Sequence, residues 1–167
     1  MIKTYISKVS LLVLLLITFG SCDLEPLQSA QEVADGGGTL DTFTAYTIDS
    51  TDPAGSNVYG RIVFWKTDLD QTLVQISLYN TFADILHPAI LVEGAAGTGT
   101  SEILTLDEVD GSTGELSDSK FFLISDTAYY DSIMTLDAHV SISLSPTDAT
   151  IVATGDIGIN ADPVDSN

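Results

Sequence analysis

VYGRIVFWK at 58–66 and TLVQISLY at 72–79 are the two runs whose reading decides the fold. In the first, Val58, Gly60, Ile62 and Phe64 share one face, and Tyr59, Arg61, Val63 and Trp65 the other. In the second, Val74, Ile76 and Leu78 point inward, and Leu73, Gln75, Ser77 and Tyr79 outward. A period of two is the signature of half-buried strands. The short polar connection Thr67-Asp68-Leu69-Asp70-Gln71 makes the pair a β-hairpin.

The pattern extends to both sides of the hairpin. Thr42–Ile48 is rich in Thr, Tyr and Phe, which suit a pleated surface. Ser50–Asn57 carries Asp52-Pro53-Ala54-Gly55 and reads as a turn. Leu86–Glu93 is a strand entered through His87-Pro88, because a proline without an N–H belongs at a strand start or on an edge. Gly94–Ser101 is a small-residue loop, Ile103–Leu106 a short strand and Asp110–Gly114 a turn. Lys120–Ile124 is a further apolar run, and Thr127–Leu136 has spacings that suit a helical turn or two. Ala138–Leu144 and Thr150–Ile159 are the last strands. Seven or eight short strands with turn signals between them predict an all-β, antiparallel sandwich or barrel. No βαβ rhythm and no internal repeat interrupts them.

The N-terminus tells a separate story. Lys3 and Lys8 precede the apolar run Leu11–Ile17, and Gly20-Ser21 precede Cys22, the only cysteine. That order is a secretory leader, too short for a spanning helix, which needs about 20 residues. Gly20-Ser21-Cys22 resembles the lipobox of bacterial lipoproteins, with Phe19 in place of the usual Leu. The resemblance implies cleavage before Cys22 and attachment of acyl chains to it. Each buried methylene contributes roughly 0.8 kcal/mol, and more than one chain makes a durable anchor. The predicted organisation is a leader at 1–21, a flexible linker at 22–40 containing Pro26 and Gly36-Gly37-Gly38, a domain at 41–160 and a polar tail at 161–167. Asp23 and Glu25 loosely resemble the surface-export signal of Bacteroidota lipoproteins. The expected location is the outer membrane, on its periplasmic or surface face.

The formal net charge is −19. After loss of the leader, Arg61, Lys66 and Lys120 stand against 24 Asp and Glu, which makes −21. Such a surface repels nucleic acid and anionic lipid. The acids are scattered through turns rather than massed in one tail.

Four stretches resemble the CHRD (chordin-type) domain family. They are Gly60–Phe64 with Leu73–Leu78, His87-Pro88-Ala89-Ile90-Leu91-Val92-Glu93-Gly94, Leu136–Ser145, and Val152–Gly158. The resemblance covers about residues 41–160 and implies an immunoglobulin-like β-sandwich with a remote likeness to copper/zinc superoxide dismutase. Ile90 and Val92 stand where the family pattern has two histidines, and Ser143 where it offers another. Imidazole is the ligand such a metal site would use.

The remaining chemistry is sparse. His87, beside a proline at a strand start, reads as a capped or surface residue, and His139 as a solvated one on an outward face. Asp107–Gly111 fails the EF-hand spacing, leaving an irregular calcium loop of Glu108, Asp110 and Glu115 as a candidate. Gly94–Ser101 lacks the lysine of a phosphate loop. Trp65 with Tyr59 forms a candidate platform for a glycan or peptide, although a sandwich tryptophan more often packs between sheets. No catalytic residue, metal ligand or cofactor is assigned. The expected function is a non-catalytic binding or structural module with a protein or glycan partner. The alternative is a dismutase-like metal or redox domain using His87 and His139.

Overall fold

The computed structural model describes residues 40–99 and 101–165. The leader 1–21, Cys22 and nearly all of the 22–40 linker lie outside the described residues. Within them the chain is antiparallel sheet, with one short helix and one 3-10 turn.

The hairpin forms where alternation places it: β2 is Tyr59–Lys66 and β3 is Thr72–Tyr79. Its ladder runs unbroken from Tyr59↔Tyr79 to Lys66↔Thr72. The turn is held by its own side chain, because Thr67 Oγ1 accepts the N–H groups of Leu69 and Gln71. Asp70 takes the left-handed conformation (φ 57°) that closes it, as Asp tolerates better than most residues. Strand β1 (Thr42–Ser50) pairs along the free edge of β2, from Thr42↔Lys66 to Ile48↔Gly60. The β1–β2 connection is pinned by the Asp52 carboxylate, which accepts the Gly55 and Ser56 amides at 3.0 and 3.4 Å.

The last two long strands, β10 (Asp137–Ser145) and β11 (Asp148–Gly158), form a second hairpin. It joins the first where Asp49 and Ser50 of β1 face Thr154 and Ala153 of β11, with the Thr51 N–H donating to the Val152 carbonyl beside them. Gly155 permits the approach: a Cβ there would lie 2.1 Å from the Thr47 carbonyl oxygen. The full strand order is β4 (Leu86–His87), β7 (Val109–Asp110), β8 (Glu115–Leu116), β3, β2, β1, β11, β10, β5 (Ala89–Glu93), β6 (Glu102–Thr105), with β9 (Phe122–Ile124) also on β3. The sheet curls, so the inward side chains of both halves meet in one core. Ile62, Phe64, Val74 and Ile76 come from one half and Leu91, Val140, Ile142 and Ile157 from the other, all fully buried.

Three differences from the sequence reading have physical causes. The run 86–93 is two strands, β4 (Leu86–His87) and β5 (Ala89–Glu93), because Pro88 has no N–H to continue a ladder. β4 pairs with β7 (Val109–Asp110), whereas β5 pairs with β10 and with β6 (Glu102–Thr105). The 110–114 turn joins two two-residue strands, β7 and β8 (Glu115–Leu116), too short to show a period. Phe122–Ile124 is β9. The polar tail is tied down, for the Val164 N–H donates to the Ala45 carbonyl at 2.9 Å and occupies the edge of β1 that β11 leaves free. The helical turns predicted at 127–136 are α1 (Tyr129–Ser132) and the 3-10 turn Ile133–Thr135. Lys66 holds α1 to β2 through Asp131 at 2.9 Å.

Candidate functional site

Each half of the sheet has an outward face, and the two differ. On the β5–β10–β11 half, Ile90, Val92, His139, Ser141 and Thr154 share that face by register. The segment 94–99 is fastened over it. The Ala96 amide donates to Asp156 Oδ1 at 2.6 Å, and His139 Nδ1 donates to the Gly94 carbonyl at 2.8 Å. Gly94 takes a φ of +82°, a conformation that glycine adopts without steric cost. His139 and Ser141 are therefore only 4% and 5% exposed.

This corrects the expectation of a solvated His139. Strand phase set its direction rightly, but a loop from a different strand pair covers it. His87 is likewise buried, not capped at the surface. Its Nδ1 reaches the Ser143 carbonyl at 3.1 Å, and its ring lies 6.1 Å from that of Phe82. The two imidazoles do not converge. His139 is four residues from the Ser143 that His87 contacts, roughly 13 Å along an extended strand. Among the described residues no three His, Cys, Asp or Glu gather as a metal site would need. Glu108, Asp110 and Glu115 do not form one either, since Asp110 Oδ1 instead caps its own turn by accepting the Ser112 amide at 2.8 Å. Ser141, His139 and Asp156 stand on neighbouring positions of one face. They do not form the chain of hydrogen bonds a triad needs, because His139 Nδ1 is given to a backbone carbonyl and not to a carboxylate.

On the β1–β2–β3 half Ala45 and Val63 are buried in the middle of the face, but among the described residues no loop is fastened over its rim at Tyr59 and Tyr79. Cross-strand rows run Thr47–Arg61–Ser77 and, at the rim, Tyr59–Tyr79. The two tyrosine rings lie 5.4 Å apart at 30° and remain 43% and 53% exposed. Beside them a groove of about 460 Å³ is lined by Thr47, Tyr59, Gly60, Arg61 and Tyr79, and by Val164 and Asp165 of the C-terminal segment. Arg61 is the chain's only arginine, and among the described residues no carboxylate pairs with it. At the other end of the same face Trp65 packs against Phe43, ring centroids 5.1 Å apart and tilted by 52°, and donates Nε1–H to Gln75 at 3.2 Å.

Trp65 is thus on the outer face, not between layers, as its phase with Tyr59 and Arg61 requires. Nor do Tyr59 and Trp65 make one platform: six residues of strand put them roughly 20 Å apart. The true partner of Tyr59 is Tyr79. The hairpin itself carried that information, because closing 66 on 72 forces 59 opposite 79.

Electrostatic perturbation lies outside both faces. The hydrogen bond to Asp131 holds the Lys66 pKa above its usual value. Burial, then the charge of Asp118, pushes the Asp107 carboxyl up. Desolvation pushes the Tyr129 phenol up to about 12. Among the described residues no helix is long and apolar enough to cross a membrane. No known protein family, curated protein or solved structure matches the chain.

Proposed function

We propose that this is a lipid-anchored protein of the cell envelope, held to the outer membrane through Cys22, whose sheet domain binds a ligand without transforming it. The domain is read as a CHRD-like, immunoglobulin-like sandwich. Two antiparallel halves over one shared core support that reading. The observation that carries the binding function is the exposed Tyr59–Tyr79 pair beside Arg61, which no carboxylate among the described residues pairs. Aromatic rings and arginine are the side chains on which binding energy concentrates, and exposed ones cost apolar hydration unless something covers them. The dismutase-like alternative is weakened by the two histidines, each of which is tied to a backbone carbonyl at a different place in the sheet.

Anchoring is tested at Cys22. In a host that acylates lipoproteins, the wild-type chain partitions into the detergent phase and incorporates labelled palmitate. Cys22→Ser loses the label and moves to the aqueous phase. A variant that stays in the detergent phase overturns the lipobox reading.

A further inference from the structure

The geometry points to a neutral saccharide as the ligand of the Tyr59–Arg61–Tyr79 groove, an inference that rests on the binding-module reading above. Size is the first argument. A groove of about 460 Å³ falls among small-ligand sites of roughly 300–1,000 Å³. A standard protein interface needs about 800 Å² from each partner.

The second argument is the kind of surface. Sugars present apolar C–H faces and a rim of hydroxyls. Tyr59 and Tyr79 offer rigid amphipathic rings whose ordering costs little entropy, and their exposure leaves the ring surface available. Around them stand Arg61 with five N–H donors, Thr47 with a hydroxyl that both donates and accepts, and Asp165 with a carboxylate that accepts. Donors and acceptors of both kinds side by side match the adjacent hydroxyls of a pyranose.

Charge decides between neutral and acidic sugars. Arg61 alone would welcome a carboxylate. Asp165 lines the same groove, however, and the chain as a whole carries −19. A polyanion approaching it meets repulsion within the Debye length of about 8 Å at physiological salt. A neutral polyol meets none, and it still uses Arg61 as a hydrogen-bond donor. The acidic surface that excludes nucleic acid therefore also selects among glycans.

The test uses the full acylated chain in detergent, run by affinity electrophoresis through gels containing soluble β-glucan, xyloglucan, galactomannan, starch or polygalacturonate. At least one neutral polysaccharide retards it and polygalacturonate does not. Tyr79→Ala and Arg61→Ala each weaken that retardation at least tenfold while the melting temperature stays put. Retardation by none of the neutral polymers, preference for polygalacturonate, or retardation indifferent to both substitutions overturns the inference. A photo-crosslinker at position 79 separates this failure from failure of the wider reading. Crosslinking to a protein without glycan retardation removes the saccharide and leaves the binding module.

Discussion

The two outward faces of this sheet are built from the same alternating pattern and meet different fates. On β5–β10–β11 a loop folds back and turns His139 and Ser141 into interior residues. On β1–β2–β3 the rings of Tyr59 and Tyr79 stay open, and among the described residues no carboxylate pairs with Arg61. Alternation fixes which side of a strand a residue occupies. It does not fix whether that side faces water, because the cover comes from elsewhere in the chain. A groove of about 520 Å³ still opens beside that loop, lined by Ile90, Val92, His139, Ser141 and Thr154, but the open face is the one that presents exposed aromatic rings.

The comparison assumes that both faces stand on one core, and that assumption has the largest measurable consequence. Phe64 lies under the open face and Leu91 under the covered one, both fully buried in the same cluster. Phe64→Ala is expected to cost about 3–5 kcal/mol and Leu91→Ala about 2–5. Urea unfolding followed by tryptophan fluorescence and by far-UV circular dichroism checks this. Trp65 reports the open half, whereas dichroism reports the whole sheet. Coincident transitions in both variants uphold one core. Separate transitions split the molecule into two halves and break the comparison.

The faces themselves should respond unequally. His139→Ala removes the donor to the Gly94 carbonyl and opens space under the loop, so it is expected to cost about 1–3 kcal/mol. Tyr79→Ala removes an exposed ring that no described hydrogen bond holds, and should stay within about 0.5 kcal/mol. Hydrogen exchange sharpens the contrast, since the Ala96 amide should be protected in the wild type and lose protection in the His139 variant. Equal costs for the two substitutions would show the covered face to be no more structural than the open one.

Much of this architecture was legible in advance. The β2–β3 hairpin and β10 follow from period two, because each strand is eight residues or longer and keeps apolar side chains at alternate positions. The two-residue strands β7 and β8 were not, since two residues carry no period. Pro88 reads as a residue of a strand start or an edge, and it does immediately precede β5, but its effect is larger. By ending one ladder it lets the chain leave β7 for β10 in a single residue. The burial of His87 and His139 was invisible for another reason: each is sealed by contacts fifty-six and forty-five residues away. The binding candidate was half legible. Tyr59 stood out as aromatic and outward, but its partner had to be taken from hairpin register rather than from the nearest aromatic on the same strand. Arg61 stood out only once the structure showed no carboxylate paired with it.

Tyr129 gives the smallest effect and the sharpest contrast with Tyr79. Both are tyrosines, but the Tyr79 ring is half in water, and the Tyr129 hydroxyl is buried with no partner among the described residues. An unsatisfied hydroxyl costs free energy that a phenyl ring does not, so Tyr129→Phe should stabilise the fold by about 1 kcal/mol at neutral pH. Desolvation raises the folded pKa from the ordinary 10.0 to about 12. Between those values the unfolded chain has released the phenolic proton and the folded chain still holds it. The folded state then binds more protons, and stability falls as pH rises through that window. Tyr129→Phe should flatten that part of the curve, whereas Tyr79→Phe should leave it unchanged. Urea midpoints taken from pH 9 to pH 12 decide the matter: parallel declines in wild type and Tyr129→Phe would mean that the buried hydroxyl finds a partner in solution.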